Sequence, residues 1–295
     1  MNLSIAFCTG RAKPEQHWFL DSLSPQVRNT DKVEVILVDL FFDGLTRFKY
    51  KNLDVVQTEP KPNVWQGKHR LTKMDFWAKS SALNTAICLA SHEWFSAVDD
   101  RCVVMDGYMD AIVSAYNFRH AVMGSYEKRT GMKVENGIIV EHGTVVGTDT
   151  RLKWGGGQVS TFGEAWFGCC NALPLEWCLE CNGYDETCDG MRYEDTTFGR
   201  MVARNGHRTV FNPQMRVIQD RHSDFPSPNG NDKGISPNDK SHALLGKIGQ
   251  SKKAIHRPNI RFIREMVQNG NPFPVPTEPT HDWFDGQPLS EMVNT

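Results

Sequence analysis

The chain has 295 residues, enough for one large domain or two small ones, with 39% hydrophobic and 23% charged residues and a formal net charge of −2. That balance gives no global basic field to draw it to nucleic acid or an anionic membrane, and no apolar run approaches the roughly 18 residues of a membrane span. Eight cysteines are too few at this length for a disulfide scaffold. The CLEC pair, Cys178 and Cys181, would need partners among Cys169, Cys170 and Cys188 to build a zinc site, so free thiols are the expected state.

The N-terminus, MNLSIAFCTGRAKPEQ, has no basic stretch ahead of a long apolar core, which argues against a secretory signal and for a cytoplasmic protein. It reads instead as a first strand, Leu3–Thr9. Val33–Leu40, Leu53–Thr58 and Trp94–Asp100 follow as further strands, each an apolar run bounded by turn residues. Helical spacing separates them. PEQHWFLDSLSPQV puts Trp18, Phe19, Leu23 and Val27 near one face behind Pro14, and the segment from Lys73 to His92 carries a stripe from Trp77 to Ala90. GYMDAIVSAYNF predicts a third helix. Strand–helix alternation of this kind predicts an α/β fold with a mostly parallel sheet flanked by helices, whose ligands sit at the carboxyl ends of the strands. Asp39, Asp99 and Asp100 fall at those ends.

The second half changes character. Residues 122–149 read as short strands and turns, and the Gly- and aromatic-rich segment from Trp154 to Pro174 as loop and short strand. RYEDTTFGRMVARNG predicts a helix stopped by Asn205–Gly206. RVIQDRH then reads as a strand ending in Asp220 and His222. The following Pro-, Gly- and Asn-rich stretch has the composition of a long lid loop, and the proline-bearing tail from Asn271 is expected to wrap the surface.

Several residues have the right chemistry for a site. Adjacent carboxylates at a strand end offer hard oxygen ligands to Mg²⁺ or Mn²⁺, although Asp is also common in solvated turns. Glu194 and Asp195 open a helix, where the macrodipole favours negative charge; facing a cleft, either could deprotonate a hydroxyl. Trp154, Trp166 and Phe167 suit either the wall of a binding site or core packing. Lys68, His69, Arg70 and Lys73 make either a solvated basic loop or a phosphate-facing cluster.

Taken together and in order, LSIAFCTGRA, VEVILVD, KSSALNTAICLA, FSAVDDRCVV, GCCNALPLEWCLECNGYDE, EDTTFGRMVARNG and VIQDRH resemble the GT-A glycosyltransferases, in particular the family-2-like group. The resemblance spans residues 3–222. It implies a GT-A catalytic domain over 1–222, with a nucleotide-binding half (1–105) and an acceptor and catalytic half (106–222), followed by a lid loop and C-terminal extension (223–295). It implies a nucleotide-sugar donor, a UDP-sugar at the family level, and transfer to an acceptor hydroxyl by a metal-assisted inverting displacement. Thr9, Gly10, Arg11 and Asp39 would contact the nucleoside, Lys79 and Asn84 would line the donor site, and Asp99 would face the ribose. Asp100 and His222 would hold Mn²⁺ or Mg²⁺, and Asp195, or alternatively Glu194, would act as base. The chain departs from the family's Asp-x-Asp motif at Arg101, whose fork could meet the diphosphate directly. That departure keeps open a lapsed GT-A domain that only binds nucleotide or glycan. A nucleotidyltransferase is a second alternative, although CTGRAKPE is a poor match to its Gly-rich basic loop. The acceptor class, whether glycan, small molecule, protein or nucleic acid base, is not encoded in any readable motif.

Overall fold

The apolar runs near the N-terminus form strands at the expected places: β1 (Asn2–Thr9), β2 (Lys32–Asp39), β4 (Leu53–Thr58) and β5 (Trp94–Asp99). The structure, a computed structural model, describes residues 1–11, 13–62, 78–155, 159–161, 163–189, 193–221 and 258–275. His222, the basic segment Lys68–Lys73 and the expected lid loop lie outside the described residues.

The helices are α1 (Gln16–Leu23), α2 (Lys79–Leu89), α3 (Tyr108–Phe118), α4 (Leu175–Glu180), α5 (Glu194–Arg204) and α6 (Ile260–Gln268). The remaining strands are β3 (Leu45–Tyr50), β6 (Cys102–Val104), β7 (Ala121–Thr130), β8 (Lys133–Glu135) and β9 (Ile138–Glu141). After them come β10 (Thr144–Thr148), β11 (Val159–Ser160), β12 (Cys170–Pro174) and β13 (Thr209–Asp220). One large sheet runs β11-β13-β7-β12-β5-β1-β2-β4-β3, with β10 beside β7 and β6 beside β13. Its central strands β5, β1, β2 and β4 pair in parallel, and so do β7 and β13. β12 joins the two parallel blocks by antiparallel pairing with β5 and β7.

The two faces of this sheet carry separate cores. Leu3, Ile5 and Phe7 pack with Phe19, Leu20 and Leu23 of α1 and Ile112 of α3, and the rings of Phe7 and Phe19 stack 5.5 Å apart. On the other face Ala6, Cys8 and Ala97 meet α2, α5 and α6. Helix α2 is buried from Ser80 to Leu89, which accounts for its small residues: it lies between the sheet and α6 and has no solvent face. Because α1 follows β1 on one face and α2 precedes β5 on the other, the chain leaves β1 in both directions. That makes a switch point, and it opens a crevice at the carboxyl ends of the strands. The register puts Thr9 opposite Asp39 and Cys8 opposite Asp99, so the acidic strand ends share one rim.

The C-terminal half is more regular than its sequence suggests. β7 and β13 are 10 and 12 residues long and parallel. A register shift between Phe211 and Arg216 takes up Pro213, which cannot donate to the ladder. Helix α6 lies in the expected irregular extension. Asn259 caps it by accepting from Phe262 N at 3.0 Å, Ile260 and Ile263 are buried, and Arg264 and Gln268 donate to the Cys88 carbonyl at 3.3 and 2.9 Å. No described helix is long and apolar enough to cross a membrane, and all eight cysteines are free thiols.

Candidate functional site

The acidic strand end and the basic residues beside it pair off in a specific way. Asp100 accepts at the same oxygen from the Thr9 hydroxyl (2.8 Å) and from Arg11 Nε (2.9 Å), and the Arg11 amide donates back to Thr9 Oγ1 at 3.1 Å. The loop after β1 therefore closes onto the end of β5. Asp99 receives Lys79 Nζ at 2.7 Å from the first residue of α2. Asp39 accepts from the Phe41 amide at 2.9 Å and from Gln57 Nε2 at 3.4 Å.

Helix α5 completes the arrangement. Asp195 Oδ2 accepts from the Gly168 amide at 2.9 Å and Oδ1 from the Thr196 amide at 2.7 Å. A Cβ at Gly168 would lie 3.2 Å from Lys79 Nζ and 3.5 Å from Asp195 Cβ, so the absence of a side chain lets the ammonium and the carboxylate share one small space. Glu194 precedes Asp195 on the same turn.

The charges in this space interact strongly. Burial alone would lower the Lys79 ammonium, but the charges of Asp99, Glu194 and Asp195 outweigh it and raise it above its usual value. Burial alone would raise Asp99, but Lys79 and then Lys128 of β7 hold it below the ordinary carboxylate value. Asp100 is pushed up by burial more than Arg11 and Thr9 offset, and Asp99 adds to the rise. Glu194 is likewise raised by burial against the pull of Lys79. The carboxylates Asp99, Asp100, Glu194 and Asp195 thus outnumber Lys79, Arg11 and Lys128, leaving a corner with room for more positive charge.

The structure gathers Thr9, Arg11, Asp99, Asp100, Lys79, Glu194 and Asp195 around this corner, with Gly10 inside the β1 loop and Asp39 on the same rim. It places two other expected residues differently. Arg101 adopts φ 51° at the turn into β6, and its guanidinium donates to Asp220 Oδ2 (2.8 Å) and to the Lys13 carbonyl (3.2 Å) over the Trp18 ring. Its charge is committed to joining the β1–α1 loop to β13; Arg11 and Lys79 meet the two carboxylates instead. Asn84 is buried in α2, where its amide bonds both the N–H and the C=O of Tyr184 and donates to Glu186 at 2.8 Å. It holds the GYDE segment rather than lining the crevice. Gly183 in that segment has φ 70°, and a Cβ there would sit 2.3 Å from Asn84 Oδ1.

Of the three aromatics, Trp166 is fully buried, edge-on to Phe198 at 5.6 Å, which is a core role. Trp154 is 46% exposed, and Phe167 packs on Arg151 and Tyr126. Sequence reasoning missed Lys128, Gly168 and Asp189. Asp189 accepts from the Ser80 and Ser81 amides at 2.7 and 3.2 Å, capping the turn of α2 that presents Lys79. Only Gly168 had a usable signal, a glycine inside an aromatic run; the others depend on contacts far apart in sequence. Among the described residues no group of three or more His, Cys, Asp or Glu side chains is arranged to hold a metal ion.

No protein-family model and no curated protein matches this sequence. Among solved structures, GalNAc-T7 with UDP, GalNAc and Mn²⁺ is similar at 12% identity and a TM-score of 0.52, over 93% of this chain and 55% of that one. Residues 1–349 of S. aureus TarS are similar at 12% identity and a TM-score of 0.50, over 90% of this chain and 72% of that one. The chain spans about half the length of the GalNAc-T7 structure, and the likeness at these identities is one of fold. With its switch point at β1 and its acidic rim at β5, the chain has the GT-A fold of glycosyltransferases.

Proposed function

We propose that the chain is a glycosyltransferase that moves a sugar from a nucleotide sugar to an acceptor hydroxyl by an inverting, single displacement. One observation carries the reading: strand-end carboxylates, a lysine and a helix-borne carboxylate, far apart in sequence, converge at the crevice of a GT-A sheet. The donor is read as a UDP-sugar, in line with the family resemblance and with the UDP held by GalNAc-T7. Thr9, Gly10, Arg11 and Asp39 bracket the nucleoside end of the crevice. Lys79 and Arg11 supply fixed positive charge toward the diphosphate; Lys79 has three donor hydrogens and can share itself between Asp99 and a phosphate oxygen. Asp195 is the base, held by two backbone amides so that its orientation is set before the acceptor arrives. Glu194 is the alternative, with burial already favouring its uptake of a proton.

A divalent cation suits the chemistry of these carboxylates, with His222 outside the described residues. Asp99 and Asp100 are hard oxygen ligands, each keeps one oxygen outside the contacts described, and the corner carries more negative than positive charge. Asp100 and His222 would hold Mn²⁺ or Mg²⁺, with Asp99 toward the ribose, and the ion would supply counter-charge to the leaving diphosphate. Calorimetric titration with UDP and a panel of nucleotide sugars, with Mn²⁺ and with chelator, tests the reading. Binding with transfer or slow hydrolysis is expected, whereas no binding of any nucleotide would sink it. Binding without either reaction would leave a nucleotide-binding domain.

A further inference from the structure

We propose that Arg151 and Asp149 form a positioning pair that sets Asp195 through the loop 163–168, an inference that rests on the reading of Asp195 as the base. The two side chains are 2% and 0% exposed and joined in a fork: Arg151 Nε lies 2.9 and 3.1 Å from the Asp149 oxygens and Nη2 lies 2.6 Å from Oδ2. The other edge of the guanidinium reaches two carbonyls, Ala165 O at 2.7 Å and Gly124 O at 2.6 Å. Its central carbon lies 4.4 Å from the centroid of the Phe167 ring and 4.6 Å from that of Phe211. All three guanidinium nitrogens are therefore bonded, and two aromatic rings contact the group.

Three of those partners belong to elements around the site. Gly124 is on β7, the strand that also carries Lys128. Ala165 and Phe167 flank Trp166, immediately before Gly168, whose amide donates to Asp195. Asp149 is tied in turn to β7, its amide donating to the Tyr126 carbonyl at 3.2 Å. A continuous path thus runs from β7 through Asp149 and Arg151 to Ala165, Phe167, Gly168 N–H and Asp195.

A buried ion pair is a weak way to gain stability, because desolvation offsets most of the attraction and apolar residues of the same volume do as well. What a planar guanidinium offers and an apolar side chain does not is fixed direction: it holds two carbonyls and a carboxylate at set angles. A 1 Å error in the placement of a reacting group is enough to lower turnover by about 100-fold. What the pair adds over an apolar replacement is therefore fixed geometry, whereas loss of one partner alone would strand a buried charge.

The test compares Arg151→Lys with wild type in the full chain. Lysine keeps the charge beside Asp149 but cannot bridge both carbonyls. The expected result is a kcat reduced by about 10–100-fold with donor KM unchanged, and faster hydrogen exchange at the Gly168 amide with no change in β1 or α2. If kcat and Gly168 exchange stay at wild-type values, or if exchange rises uniformly and kcat follows the loss of folded protein, the pair is purely structural and the inference is overturned. Should Arg151→Lys fail to fold, Asp149→Asn, which keeps an acceptor oxygen, is expected to give the same split and is judged by the same outcomes. Failure of the functional reading looks different: wild type would turn over no nucleotide sugar, while Gly168 exchange would still decide whether Arg151 sets the contact with Asp195.

Discussion

Two sets of ion pairs in this molecule use the same chemistry for different ends. At the crevice, Lys79 and Asp99 are 26% and 16% exposed and Arg11 and Asp100 are 8% and 12% exposed. Behind it, Lys61 and Glu186 are 2% and 1% exposed and Arg151 and Asp149 are 2% and 0% exposed. The first set keeps partial contact with solvent. The second is sealed, so its charges can only hold elements together: Lys61 meets Glu186 at 2.5 Å, and the Glu186 carboxylate also accepts from Asn84, which fixes the GYDE segment to α2. Solvent access, and not the residue types paired, distinguishes the two sets.

The largest effect is expected at the N-terminal end of α5. Asp195→Asn removes the proposed base but keeps an amide-bonded side chain, so turnover should fall by about 10²–10⁴-fold with nucleotide affinity retained, read as kcat and by calorimetry. Wild-type turnover in this variant would move the base to Glu194. The next largest effect is expected in the sealed set. Arg151→Met leaves Asp149 as a buried unpaired carboxylate and should destabilise the fold by about 3–5 kcal/mol in urea unfolding, with Lys61→Met behaving alike.

Lys79→Met sharpens the contrast from the open side. Loss of one charge-assisted contact predicts a 10–100-fold weaker affinity for UDP, about 1.5–3 kcal/mol, with a smaller change in unfolding midpoint than Lys61→Met. Its pH signature has a definite sign. Because Lys79 holds Asp99 below its ordinary value of 3.8, the stability from this pair is fully present above about pH 4 and is lost as pH falls through the lower folded value. In Lys79→Met this contribution is absent, so stability should fall less steeply on acidification than in wild type, read from unfolding midpoints across an acid series. The smallest effect belongs to an exposed pair outside both sets. Lys49 and Asp54 on β3 and β4 are 69% and 57% exposed, and Lys49→Ala should change stability by less than about 0.5 kcal/mol.

Legibility in the sequence follows the same division. β1, β2, β4 and β5 were readable because strands buried on both faces leave near-continuous apolar runs, and Asp39 and Asp99 mark where the runs of β2 and β5 stop. β3 was not, since an edge strand with the sequence LTRFKY is almost wholly exposed and has no buried face to leave a pattern. Helix α6 hid inside a segment dominated by proline and polar residues, although Ile260, Ile263 and Val267 are spaced for one helical face. The lengths of β7 and β13 were underread because Gly124 and Pro213 interrupt them; the fold absorbs the proline in a register shift.

The site divides in the same way. The identities of Asp99, Asp100, Glu194 and Asp195 as acidic groups near element ends came from the sequence alone, since turn and helix-start preferences act within a few residues. Which cation meets which carboxylate was decided only in three dimensions. Thr9 and Asp100 are 91 residues apart and Arg101 and Asp220 are 119 apart, yet both pairs are in hydrogen-bond contact. The reason is physical: periodicity reports which face of an element is buried, whereas pairing depends on the register and order of strands across the sheet. Arg101 shows the difference most plainly. Its place beside the acidic pair suggested a phosphate ligand, but a turn with φ 51° swings its side chain to Asp220 and leaves the carboxylates to Arg11 and Lys79.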